Sequence, residues 1–356
     1  MGTRIMRLVA AMTATMAATM AAALAVSGPA TAQAVADFYR GKILNIYVGS
    51  AEGGGLDAYP RLLADPLSRN IPGNPSVVIR YMPGAGGVKA ANYIYKVAPQ
   101  DGTNYGFVTR GTLYAPLFHV PQAEFDPRKI NWIGSTSKEV SIGAVWAAST
   151  DVRTIEDATK REVVVGANSV SNDSGVFPLV LNTFLGTKFK IVHGYKSAGE
   201  ITLALERGEV QGRVGWSVGA LLSGNTADWT RDKKLYVLIQ LGLEKDKRLP
   251  ADIPLATDLA RTAEDRQVMS LIFAATTIGW PSFMGPDVPP ERVAAVRAAY
   301  QQALTDPDFI AGAKKQNLGI DPLSPHDIET IVAGMYATPQ PLMDKAREIM
   351  KYTGVE

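Results

Sequence analysis

No cysteine occurs anywhere in the 356 residues. That removes disulfides, iron–sulfur clusters, thiolate catalysis and attachment through a lipidated cysteine. Histidine is scarce. His119, His193 and His326 have no metal-ligand spacing among themselves, so no metal and no other cofactor is expected. An excess of either charge is missing too, with 36 basic and 34 acidic residues and no basic tract. Nucleic acid is therefore excluded as a partner. The sequence has no internal repeat, and it has no low-complexity segment beyond its first residues.

Those first residues are where long apolar character concentrates. "MGTRIMRLVAAMTATMAATMAAALAVSGPATAQA" places Arg4 and Arg7 before an Ala/Met/Leu/Val stretch and ends in Ala32-Gln33-Ala34. A charged start, an apolar middle and a small-residue cleavage site predict a secretory signal peptide over residues 1–34. Its Ala and Thr content fits a membrane anchor less well. Cleavage after Ala34 leaves 322 residues with 34 basic and 34 acidic side chains, because Arg4 and Arg7 are lost and no acid is. A chain of that length suits two lobes and buries enough apolar area to fold without disulfides.

Short apolar runs alternate with helical spacing through the rest. Strands are predicted at 43–48, 76–82, 104–109, 130–134, 141–148, 162–167, 189–195, 209–215 and 235–242, with a tenth near "TTIGWPSFMG". Helical segments lie between most of them, which predicts an α/β protein with mostly parallel sheets, too many strands for one small sheet. Ser197 to Glu200 reads as a capping box, and Pro289-Pro290-Glu291 as a helix start. Pro66 should kink or end the first helix early. Beyond about residue 285 the chain reads as helical and should pack back on the first lobe.

Three enzyme motifs are imperfect. Gly53-x-Gly55-x-x-Ala58 follows a strand as a dinucleotide loop does, but no acid lies between Asp65 and Asp101 to hold a ribose. No Gly-Lys-Ser/Thr follows for a P-loop. "GWSVG" at 215–219 matches a nucleophile elbow, with Ser217, then Asp287 or Asp306, then His326 in hydrolase order. No His-Gly-Gly-type oxyanion segment precedes it, and a small-residue turn is the simpler reading. A secreted serine hydrolase using Ser217 stands as the alternative.

Glycine-rich polar turns recur directly after strands: "GSAEGGGLD", "MPGAGGVKAAN", "TRGTLY", "ANSVSNDSGVF" and "YKSAGE". In parallel sheets such turns share the carboxyl edge, where ligands bind. They supply backbone N–H groups, helix N-termini and the hydroxyls of Thr109, Thr112, Ser169, Ser171 and Ser174, donors suited to an anion. None pairs a nucleophile with its base, so binding is favoured over turnover.

"GGGLDAYPRLLADPLSRNIPGNPSVVIRYMPGAGGVKAANYIYKVAPQDGTNYGFVTRGTL" resembles the solute receptors of tripartite tricarboxylate transporters, the Bug-type or TctC-like binding proteins. The family's Pro-x-Gly-Gly-x-x-Asp loop and Pro-Gly-Ala-Gly-Gly turn are both represented. Its Ala-Pro-Asp-Gly segment appears one residue longer, as Ala98-Pro99-Gln100-Asp101-Gly102. The likeness continues through "VVVGANSVSNDSG", "IVHGYKSAGEITLALERGEVQG", "DIPLATDLA" and "GPDVPPERVAAV".

The resemblance implies a type II periplasmic-binding fold of two α/β lobes, 35–140 plus 276–356 and 141–275, closing over a ligand. It implies a monomer in the periplasm that hands a small mono-, di- or aromatic carboxylate to the membrane subunits of a secondary transporter. A sensing subunit would share the same fold. Carried over by position, the ligand residues are Gly54, Gly55, Asp57, Thr109, Gly111, Thr112, Asn168, Ser171, Asp173, Ser174, Tyr195 and Lys196. Pro83–Gly87 should shape its turn instead of touching ligand. Glu52 replaces the family's proline, Asp173 stands where Ser, Thr or Gly is usual, and Gly215-Trp216 replaces an Asp/Asn-containing pair. If Glu52 and Asp173 face the cleft, a tricarboxylate is repelled, and a mono-carboxylate, an amine-bearing acid or an aromatic acid stacked on Trp216 is favoured.

Overall fold

The computed structural model describes residues 27–52, 56–120, 122–168, 172–316 and 318–351. Residues 1–26 of the expected signal peptide, and the site residues Gly54, Gly55 and Ser171, lie outside them.

Among the described residues, ten strands form two five-stranded sheets. The first contains β1 (Ile43–Val48), β2 (Ser76–Tyr81), β3 (Asn104–Phe107), β4 (Asn131–Ser135) and β10 (Pro281–Met284), in the order β2-β1-β3-β10-β4. The second contains β5 (Ser141–Trp146), β6 (Val163–Ala167), β7 (Phe189–His193), β8 (Gly212–Ser217) and β9 (Leu235–Leu241), in the order β7-β6-β8-β5-β9. All ten fall on the predicted apolar runs.

Four strands in each sheet point the same way, and one in each reverses. β10 runs antiparallel to β3 and β4, and β5 antiparallel to β8 and β9. These two are the strands that receive the chain from the other sheet. They enter at the carboxyl edge of the parallel strands, so they run against them. The two crossings are tied together, because the Trp280 amide donates to Ser135 Oγ at 3.0 Å.

The helices of nine residues or more are α1 (Ser27–Tyr39), α2 (Ala58–Asn70), α3 (Asp173–Leu185), α4 (Ala198–Glu206), α5 (Ala263–Thr277), α6 (Pro290–Leu304), α7 (Pro307–Lys315), α8 (Pro325–Tyr336) and α9 (Gln340–Lys351). The first core gathers Tyr39, Leu44, Ile46, Leu63, Leu67, Tyr300 and Phe309 from α1, α2, α6, α7 and the sheet. The second gathers Val165, Phe177, Val180, Phe184, Ile272 and Phe273 from α3, α5 and the other sheet.

Two expectations need correction. α2 runs through Pro66 to Asn70 without ending early. Pro66, Leu63 and Leu67 are all buried, and that packing outweighs the lost backbone bond. The helical tail also divides. α6 and α7 cover the first sheet, but Met343, Ala346 and Ile349 of α9 belong to the second core. Lys345 fastens α9 there with bonds to Glu264 and Asp265 at 2.8 and 2.9 Å.

Candidate functional site

The carboxyl edge of the first sheet is built around the Pro83–Gly87 turn. Gly84, Gly86 and Gly87 have φ of 146°, 62° and 97°, in the region that favours glycine. The hydroxyls of Thr109 and Thr112 both donate to the Gly86 carbonyl, at 3.0 and 2.8 Å. A Cβ on Gly87 would stand 2.6 Å from Thr112 Oγ1. Both threonines, expected at the ligand, thus hold this turn against the end of β3.

Asp57 opens α2 and is buried. Its Oδ1 accepts from the Tyr81 hydroxyl at 2.5 Å and its Oδ2 from Arg61 Nε at 2.7 Å. The same guanidinium reaches Glu52 at 2.6 Å. Burial and the Asp57 carboxylate push the Tyr81 hydroxyl up to about 12.

The contact between the lobes pairs Asp173, one of the expected ligand residues, with Arg110, which is not among them. Arg110 begins the single turn of 3₁₀ helix at Arg110–Tyr114, directly after β3. Its Nε donates to Asp173 Oδ2 at 2.6 Å, and its Nη2 lies 2.6 Å from the same oxygen. Nη2 also donates to Ser141 Oγ at 2.7 Å, at the start of β5. The two side chains are 11% and 18% exposed, so this is a nearly buried ion pair joining the two lobes at their facing edges. Burial works against the Arg110 charge. Asp173 and then Glu139 outweigh it, and the guanidinium is held above its ordinary range.

Beside this pair lies a void of about 10 Å³, lined by Gly111, Tyr114, Asn172, Asp173, Phe177 and Ile272 among others, room for a single water. Gly111 faces Asp173 Oδ1, 3.9 Å from where its Cβ would stand. Tyr114 completes the lobe contact: its hydroxyl donates to the Ile272 carbonyl and accepts from the Ala275 amide. A wider groove of about 400 Å³ on Gly219, Leu222, Arg248 and Lys314 contains none of the expected ligand residues.

On the second lobe the expected polar groups bind one another. Ser174 Oγ accepts from the Asn168 amide at 3.0 Å and donates to Asn172 Oδ1 at 2.7 Å. Asn168 Nδ2 donates to the Tyr195 carbonyl at 3.1 Å. Gly215 has φ 79°, and a Cβ there would press to 2.7 Å on the Asp173 backbone, so glycine lets β8 sit under α3. Tyr195 is half-buried against Gly166, and its hydroxyl is pushed up by burial. Lys196 is exposed, with its amide donating to Glu200 at 2.7 Å. The capping acid therefore reaches one residue beyond the predicted Ser197.

The charge expectation changes in consequence. Asp173 does face the inter-lobe contact, but Glu52 and Asp173 are each neutralised by an arginine. Trp216 is 1% exposed, packs edge-on to Trp229, and carries the Arg213 guanidinium 4.6 Å from its ring. It offers no face for stacking a ligand. Ser217 caps the short helix Val218–Leu221, accepting from the Ala220 amide at 3.2 Å. His326 is exposed in the first turn of α8, which packs on β4. Among the described residues no bond joins Ser217 to a histidine. None of their His, Asp and Glu groups is placed to hold a metal.

No family model matches the chain. A UPF0065 protein from Cupriavidus necator is 34% identical over 130 residues, which is 35% of this chain and 37% of that protein. Solved structures align far more widely. The TctC solute-binding protein from Polaromonas superposes with a TM-score of 0.64 at 18% identity, over 86% of this chain and 99% of its own. The fold is that of the TctC and Bug binding proteins. BugD gives a TM-score of 0.64 at 18% identity over 89% and 99%, and MatC from Rhodopseudomonas palustris, with malate bound, gives 0.63 at 19% over 87% and 99%.

Proposed function

We propose that this protein is a periplasmic solute-binding receptor of the tripartite tricarboxylate type, which captures a small carboxylate between its lobes and presents it to membrane subunits. The observation that carries this reading is Arg110. A nearly buried guanidinium stands where two carboxyl edges meet, and its only acidic partner within ion-pair distance, among the described residues, comes from the opposite lobe. A ligand carboxylate reaching the cleft meets a charged fork there, together with the α3 N-terminus.

The lobes comprise 35–140 with 276–339, and 141–275 with α9. They move about the crossings at Ser135–Ser141 and Thr277–Pro281. Two relatives in fold support the ligand class, one holding malate and another from R. palustris holding adipate. Maturation removes residues 1–34. Residues 32–34 are exposed, whereas Val35 and Tyr39 of α1 are packed into the first core, so cleavage spares the fold.

A thermal-shift screen of mono-, di- and aromatic carboxylates, amino acids included, tests the reading. At a concentration about 100 times Kd, a ligand of the folded state adds about 2.7 kcal/mol of stability. At least one acid should give such a shift in the wild type and none in Arg110→Gln. No shift with any acid would sink the proposal.

A further inference from the structure

The Arg110–Asp173 pair restricts what the cleft accepts, provided that the solute-binding reading holds. A simple acid that takes the Arg110 fork displaces Asp173 from the one cation within ion-pair distance among the described residues. A nearly buried carboxylate stripped of its partner is strongly unfavourable. A diacid worsens the imbalance by adding charge of the same sign. A ligand with a carboxylate and an ammonium group replaces both halves at once. Its carboxylate accepts from Arg110, whose Nη2 stays oriented by Ser141, and its ammonium donates to Asp173.

The surroundings narrow the class further. Gly111 brings no side chain against the pair, since its Cβ would stand 3.9 Å from Asp173 Oδ1. Phe118, Val176, Phe177 and Ile272 line the adjoining void together with Tyr114 and Asn172, and among the described residues its lining holds no further cation to receive a second acid. We propose that the ligand is a small zwitterionic amino acid with an apolar side chain, bridging Arg110 of one lobe and Asp173 of the other.

Calorimetric titrations with matched pairs test this: alanine and propionate, leucine and 4-methylpentanoate, phenylalanine and 3-phenylpropionate, with malate and adipate as diacids. In the wild type at least one amino acid should bind about tenfold or more tighter than its deaminated partner and than either diacid. In Asp173→Asn the preference should reverse, because Arg110 is freed for any carboxylate while the ammonium loses its acceptor. The wild-type comparison stands even where the variant fails to fold. Equal or tighter binding of the deaminated acids or diacids to wild type would overturn the inference and leave the receptor reading intact. So would a preference unchanged in Asp173→Asn. Failure of every probe to bind either protein would overturn both.

Discussion

Arg110 and Arg61 each hold an acidic side chain at the turns that face the cleft, and the threonines between them hold backbone. Thr112 is 1% exposed, and among the described residues its hydroxyl bonds only within the first lobe, to Gly86 and Thr109. Thr112→Val should therefore lower stability by about 1–2 kcal/mol, read by urea unfolding, since a buried donor is lost beside a carbonyl. An unchanged midpoint would show that the turn does not depend on it. The sequence made the turns legible because glycine after a strand has one main use. It did not reveal Arg110 and Asp173 as partners, since they are 63 residues apart and on different lobes. A signal was present: an acid at a position usually small in the resembled family, and a lone arginine in "TRGTL". Opposite charges on two facing turns are candidates for one another. Trp216 misled because Gly215-Trp216 stands where the resembled family has an Asp/Asn-containing pair, whereas the bulge between Ile142 and Gly143 accompanies a turn of the ring toward Trp229.

Elements were legible wherever burial is regular. β1 alternates buried and less buried positions, and the central strands β3 and β5 are almost wholly buried, so their apolar runs mark them. Which lobe a surface helix covers is not written in its own periodicity. An amphipathic face specifies that it is buried, not against what. α9 presents Met343, Ala346 and Ile349 to the second core and reaches back through Arg347 to the Leu117 carbonyl at 3.2 Å. Deleting residues 340–356 should cost about 3–6 kcal/mol, from the apolar area exposed. Proteolysis should then cut first in α3 and α5, which α9 covers, and a loss confined to α1 or α2 would contradict this placement.

For the molecule as a whole, the crossing between lobes carries a second buried acid. Glu139 lies between Gly219 and Gly279, whose absent side chains make room for it, and accepts from the Gly219 amide at 3.4 Å. Burial raises its carboxyl above the ordinary range, against the pull of Arg110 and Arg248. A group raised on folding contributes stability while protonated and loses that contribution as pH rises through its folded value. Wild type should therefore lose stability relative to Glu139→Gln as the pH climbs above about 4.5, and the gap should be smallest in acid. Parallel unfolding curves for the two proteins across pH 4–8 would refute a raised carboxyl at the hinge.

The central claim is capture of a small carboxylate between the lobes at Arg110. Its most direct test is calorimetric titration of the purified mature protein and of Arg110→Gln with the acid giving the largest thermal shift. The account predicts one site per chain in the wild type and a loss of about 2–5 kcal/mol in the variant, as for truncating one side of a buried charged contact. Equal affinity in the two proteins would place the ligand elsewhere and contradict the account.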